Sequence, residues 1–363
     1  MVRACRLGSS EEGTRRGNRP DAGTMRWDHS LVLADMPTIG VRDGRWEVSH
    51  SLNQLAWERC QPLVNEPARY HVSVSRQEGG AQVIDCGIFV PGGLEAGLAL
   101  AEVCLAGLGR VEIVPGRADV WAGPSIAVRT DHPVAACMAS QYAGWQIAGD
   151  KFFAMGSGPM RAARGREALF DEIGHRERPT LAVGALETGR IPSVDVCENL
   201  ARECGVDAEQ LTLLVAPTRS LAGSLQVVAR SVETALHKLH TLKFDLHRVV
   251  NGCGFAPLPP VAANDLAGIG RTNDAVLYGG EVTLWVRGDD ASLEALGPQI
   301  PSSASRDYGQ PFAETFERYG RDFYKIDPLL FSPAVVTFVN LDTGRCLRYG
   351  EPNPPVLARS FAS

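Results

Sequence analysis

The stretch from Val215 to Leu239, VAPTRSLAGSLQVVARSVETALHKL, constrains the fold more than any other. Pro217 and Gly223 stand near its start and neither residue type recurs, so it reads as an extended lead-in followed by one helix. Leu221, Leu225, Val228, Val232, Leu236 and Leu239 recur at helical steps and predict one buried face. Gln226, Arg230, Glu233 and His237 recur at the same steps on its flank. An amide, a guanidinium, a carboxylate and an imidazole therefore stand in a row. By spacing alone, Arg230 and Glu233 also suit an ordinary helix-surface ion pair worth about 0.3 kcal/mol. Both readings stay open at this level.

Around this helix the chain alternates strands and helices, with hairpins among them. Tyr70–Ser75 and Ala81–Val90 flank Glu78-Gly79-Gly80 as a hairpin that delivers Asp85. Ser125–Thr130, Thr180–Glu187, Leu211–Val215 and Tyr278–Val286 read as strands, and Val134–Ile147 and Val194–Cys204 as helices. Arg164–Arg178 reads as a surface excursion, and Asn251–Pro260 and Gly270–Asp274 as irregular polar turns. The prediction is a mixed α/β (α+β) architecture, not a clean doubly wound sheet. A length of 363 residues suits about two domains, residues 36–178 and 179–363, with a deep substrate cleft between them. The Arg-rich residues 1–35 read as a disordered or non-native extension, with Met25 and Met36 as plausible starts.

Net charge of −6 argues against a protein devoted to nucleic acid, and no apolar run is long enough to span a membrane. Nine cysteines without a CxxC pair indicate a reduced, cytoplasmic setting. The sparse histidines give no support to a zinc site. There is no GxGxxG opening a βα unit, no P-loop and no GxSxG elbow, which excludes the common dehydrogenase, kinase and serine-hydrolase patterns. Gly156-Ser157-Gly158-Pro159, leading to Arg161 and Arg164, suits either an anion-holding helix start or a plain turn. What remains is a set of polar, Gly/Pro-framed loops in both halves, the usual material of sites.

TDHPVAACMASQYAGWQI, KFFAMGSGPMRA, GRTNDAVLYGG, SSASRDYGQPF and DFYKIDPLLFSPA, with the opening stretch, closely resemble the methenyltetrahydromethanopterin cyclohydrolase family from about Asn53 to Phe361. The resemblance implies a hydrolase without metal or organic cofactor. It would interconvert 5,10-methenyl- and N5-formyl-tetrahydromethanopterin in one-carbon metabolism, in bacteria during formaldehyde oxidation. It also implies a two-domain homo-oligomer, trimers being among the family's forms. The family's catalytic Arg and Glu fall on Arg230 and Glu233. Glu233 is then the expected general base and acid, with Arg230 orienting it and keeping its pKa from rising. Asp131, Lys151, Ser157, Gln226, Thr272, Asn273, Asp274, Tyr308 and Lys325 match family motifs and are candidate pterin contacts, as is Asp85; capping or turn roles are the competing reading for each. The alternatives are a cyclohydrolase acting on another one-carbon pteridine such as tetrahydrofolate, and a catalytically silent pterin-binding protein.

Overall fold

The computed structural model describes residues 40–42, 45–47 and 51–362. The expected extension over residues 1–35 lies outside the described residues. Strands β1 (Gly40–Arg42) and β2 (Arg45–Glu47) pair antiparallel with each other. The elements from Leu52 onward form one compact unit. Its strands are β3 (Ser73–Arg76), β4 (Gln82–Asp85), β5 (Gly109–Val114), β6 (Ser125–Thr130), β7 (Trp145–Gly149), β8 (Phe152–Ser157) and β9 (Ala182–Glu187). They continue as β10 (Leu211–Ala216), β11 (Val249–Pro257), β12 (Glu281–Val286), β13 (Val335–Asn340) and β14 (Cys346–Gly350).

These strands make two six-stranded mixed sheets, ordered β3-β4-β10-β9-β8-β7 and β14-β13-β12-β11-β6-β5. The architecture is mixed α/β, as the alternation of elements predicts. Each sheet draws strands from both sides of residue 178, so a boundary there does not separate the sheets.

The centre of the first sheet is buried on both faces. Its central strand β10, LTLLVA, runs parallel to β4 and β9 and is buried throughout. That is why it reads as a continuous apolar run rather than an alternating one. Leu211, Leu213 and Val215 pack under the helix Val194–Cys204, while Leu214 and Ala216 pack against helices Leu52–Asn65 and Leu94–Cys104. The second sheet shares the largest core with helices Ser231–Thr241 and Asp265–Gly279.

The continuous helix expected over 221–239 is broken. One helix runs Leu221–Val228 and a second Ser231–Thr241, with Ala229 and Arg230 at ψ near zero (3° and 10°) between them. The first half lies on helix Leu94–Cys104, where a Cβ on Gly97 would meet Leu225 at 3.0 Å. The second half lies on β11, where a Cβ on Gly254 would stand 2.6 Å from Ser231 Oγ. The pair thus ties the layer of the first sheet to the second sheet.

Other expectations are corrected. The segment 134–147 is not one helix: a π-helix spans Val134–Gln141, and Trp145–Gly149 forms β7, because Gly144 precedes an alternating Trp145-Gln146-Ile147 that pairs with β8. The glycine-rich 251–257 is regular strand, its glycines serving helix approach rather than turns. Gly270–Asp274 lies inside the fifteen-residue helix Asp265–Gly279, and β12 starts at Glu281 rather than Tyr278. The 164–178 excursion contains a short helix, Leu169–Ile173, whose three apolar side chains are buried.

Candidate functional site

Three parallel strands bring chemistry to one edge. Register pairs Val215 of β10 with Asp85 of β4, and Ala216 of β10 with Glu187 of β9. The carboxyl ends of such strands are where α/β sheets place ligands. Here a cavity of about 520 Å³ opens beside them. One wall is Gln146, Phe153, Met155, Glu187 and Pro217. The other is Ile269, Thr272 and Asn273 of helix Asp265–Gly279 with Phe316 and Asp322–Tyr324. Phe153 and Tyr324 are strongly exposed at the rim, and Gln146 Nε2 donates to Tyr324 Oη at 3.2 Å.

Behind Glu187 lies Arg230, which the helix break presents as the cap residue of Ser231–Thr241. Its Nη2 donates to Ser157 Oγ at 3.0 Å and Gln226 Oε1 at 2.9 Å, and its Nη1 donates to the Gln141 carbonyl. Gln226 Nε2 donates to Glu187 Oε1 at 3.0 Å, and that oxygen lies 3.5 Å from Arg230 Nη2.

Glu233 occupies the first turn of the second half-helix, a position the helix dipole favours for negative charge. It is 7% exposed and has no hydrogen-bond or ion-pair partner among the described residues. The expected Arg230–Glu233 ion pair is therefore absent among them, because Arg230's terminal nitrogens are taken by three other segments. Burial pushes the Glu233 carboxyl up to about 7, with Glu187 adding to it, against the lowering effect of Arg230 and Arg161. The expectation that Arg230 keeps this pKa from rising is corrected accordingly: desolvation outweighs the nearby charge.

Arg161 is fully buried, wedged against the Tyr142 and Phe170 rings at 4.6 and 5.3 Å, and donates to the Met138 carbonyl and to Glu167. The Gly-Ser-Gly-Pro turn thus leads to a helix of five residues whose arginine serves the interior. His237, one turn beyond Glu233, stacks on Tyr142 at 5.0 Å, and burial draws it down to about 4.

Of the remaining candidates, Ser157 and Gln226 join Arg230, and Thr272 and Asn273 line the cavity. The last two bond back to their own helix, Thr272 Oγ1 to the Gly268 carbonyl and Asn273 Nδ2 to that of Ile269, both at 2.8 Å. The others stand outside the cavity lining. Asp85 accepts from the Gly87, Ile88 and Phe89 amides and shapes the loop after β4. Asp131 accepts from Asn251 Nδ2 at 2.5 Å beside a separate groove. Asp274 is buried and accepts from the Phe312 amide at 2.9 Å. Lys151 sits exposed in the β7–β8 turn with φ of 54°, Lys325 lies 3.6 Å from Asp322, and Tyr308 packs on Tyr278 at 5.1 Å. Sequence reading misses Glu187, Phe153 and Tyr324, and it offers Arg161 for an anion rather than for the interior it serves. The placement of Glu187 at the end of a buried strand is the one signal that pointed to it.

Among the described residues no cluster of His, Cys, Asp or Glu is arranged to hold a metal ion, and no helix is long and apolar enough to cross a membrane. Residues 51–361 match the family model described as Cyclohydrolase (MCH). The chain is 51% identical to a methenyltetrahydromethanopterin cyclohydrolase of Rhodopirellula baltica, covering 92% of this chain and 99% of that one. It is 46% identical to the protein of that name from Methylobacillus flagellatus, over 86% of this chain and 95% of the relative. Identity to that of Methanospirillum hungatei is 42%, over 86% and 98% respectively.

Proposed function

The chain belongs to the methenyltetrahydromethanopterin cyclohydrolase family, and we propose that it hydrolyses 5,10-methenyl-tetrahydromethanopterin reversibly, with Glu233 as general base and then acid. The observation that carries this role is a buried, unpaired carboxylate held near neutrality beside an arginine cluster that meets the cavity wall at Glu187. A catalytic carboxyl works best when its pKa lies near the working pH.

The methenyl carbon lies between two nitrogens that share one positive charge. Water adds to that carbon, and Glu233 takes the proton the water loses. The adduct then breaks its bond to N10. Glu233 returns a proton to that nitrogen, and the adduct's hydroxyl proton leaves as the formyl C=O forms on N5. Water and the cation give the neutral formyl product and one proton. The guanidinium of Arg230 suits the oxygen that develops charge in this sequence. The aromatic rim of Phe153 and Tyr324 offers flat surfaces to the pterin.

In this scheme the substrate lies in the cavity between the first-sheet and second-sheet layers, which take the part of the two expected domains within one compact unit. No metal or organic cofactor takes part. The protein works as a homo-oligomer in the cytoplasm, within one-carbon metabolism and, in a bacterium, in formaldehyde oxidation.

The test is loss of the methenyl absorbance on adding wild type or Glu233→Gln, with a chelator present. Rapid loss with wild type, slowed by about 10² or more in the variant, supports the assignment. An unaffected variant removes Glu233 as acid/base. Binding without turnover by wild type removes the enzymatic role altogether.

A further inference from the structure

Resting on Glu233 as the base, we infer that Glu187 is a positioning residue: it holds Arg230 on the first-sheet side of the cleft and thereby leaves Glu233 unpaired. Residues three apart near a helix start are within reach of each other, so Arg230 and Glu233 would ordinarily meet. They do not, and the contacts show what draws Arg230 away. Glu187 Oε1, Gln226 and Arg230 Nη2 form a closed triangle with sides of 3.0, 2.9 and 3.5 Å. Glu187 is the negative member of it. Its backbone is fixed between Met155 of β8 and Ala216 of β10, so its place is set by the sheet and not by the helix.

The other groups near Glu233 cannot substitute. Arg161, from the helix Met160–Arg164, is committed to Met138 and Glu167. Cys137 and Tyr142 face it from the π-helix and its end, and both are held neutral by burial. His237, on the next turn, is neutral above about pH 4. Arg230 is the one cation near Glu233 whose direction Glu187 decides.

The pH dependence of kcat/KM reads this directly, because a merely structural role would lower the rate without moving the acidic limb. With the full chain, Glu187→Gln is expected to shift that limb down by about one unit, as Arg230 turns to Glu233 and a neighbouring negative charge is lost. Glu187→Asp keeps the charge and is expected to shift it less. In an Arg230→Gln background the Glu187→Gln shift is expected to shrink, since the group being redirected is gone. A limb that stays in place in Glu187→Gln, or in the equally uncharged Glu187→Ala should the first variant not fold, overturns the inference. So does an equal shift with and without Arg230. Glu233→Gln separates the two levels: if it retains the wild-type limb, the base assignment itself fails, whatever Glu187 does.

Discussion

The two walls of the cleft are built differently. On the first-sheet wall the polar groups around Glu233 are tied to other segments, though Glu233 itself is not: Arg230 to Gln141, Ser157 and Gln226, and Gln226 to Glu187. On the facing wall, Thr272 and Asn273 are tied only to their own helix, and the exposed surface is aromatic, with Phe323 stacked among Phe312 and Phe316. A wall cross-braced between distant segments holds reacting groups to a fixed geometry. A wall of rings on a short irregular segment supplies contact area and shape. Under the proposed reaction, the contrast gives rate to one wall and affinity to the other.

The sharpest way to break that division is Arg230→Leu. It strands Glu187, Gln226 and the Gln141 carbonyl together, so a loss of about 3 kcal/mol in stability and about 10²-fold in kcat is expected, by denaturant titration and steady-state assay. A mild kcat effect would show that the bracing is not part of the chemistry. Next comes the pH dependence of stability. The Glu233 carboxyl is raised from 4.5 to about 7 on folding, so between those values the folded state holds a proton that the unfolded state releases. Stability therefore falls as pH rises through that window. Glu233→Gln is expected to melt above wild type at pH 8, by on the order of 2 kcal/mol, with the gap closing toward pH 4.5.

On the opposite wall, Tyr324→Ala is expected to raise KM by about 3- to 10-fold with kcat nearly unchanged, the value of one ring contact. A fall in kcat instead would move Tyr324 to the chemical side. Asn273→Ala is the smallest: a self-bonded helix residue should change stability by no more than about 0.5 kcal/mol and KM by less than about 3-fold.

Where local pattern decides structure, the chain was readable. The helix Val194–Cys204 and strand β6 fall where periodicity placed them. It failed where a distant partner decides. The glycines of β11 look like loop material until Ser231 and Val232 are seen pressing on them. Arg230 and Glu233 stood out by spacing and by family resemblance, but their relation did not, because the partners of Arg230 come from β8, β9 and the π-helix. Glu187 carries only the local mark of closing a buried strand; its meaning depends on a guanidinium 43 residues away.

The order of strands also bears on how the protein comes to life on the ribosome. β10 is the central strand of the first sheet, yet it is made after both of its neighbours, β4 and β9. A nascent chain that has reached residue 200 holds those two with no strand between them. Long-range parallel pairing of this kind is slow, and unpaired edges invite association with other chains. The bonds from Arg230 reach back 73 and 89 residues, so the site closes only after the central strand has docked. Activity regained on refolding should therefore lag secondary structure, and chaperone demand should peak before residue 211 emerges.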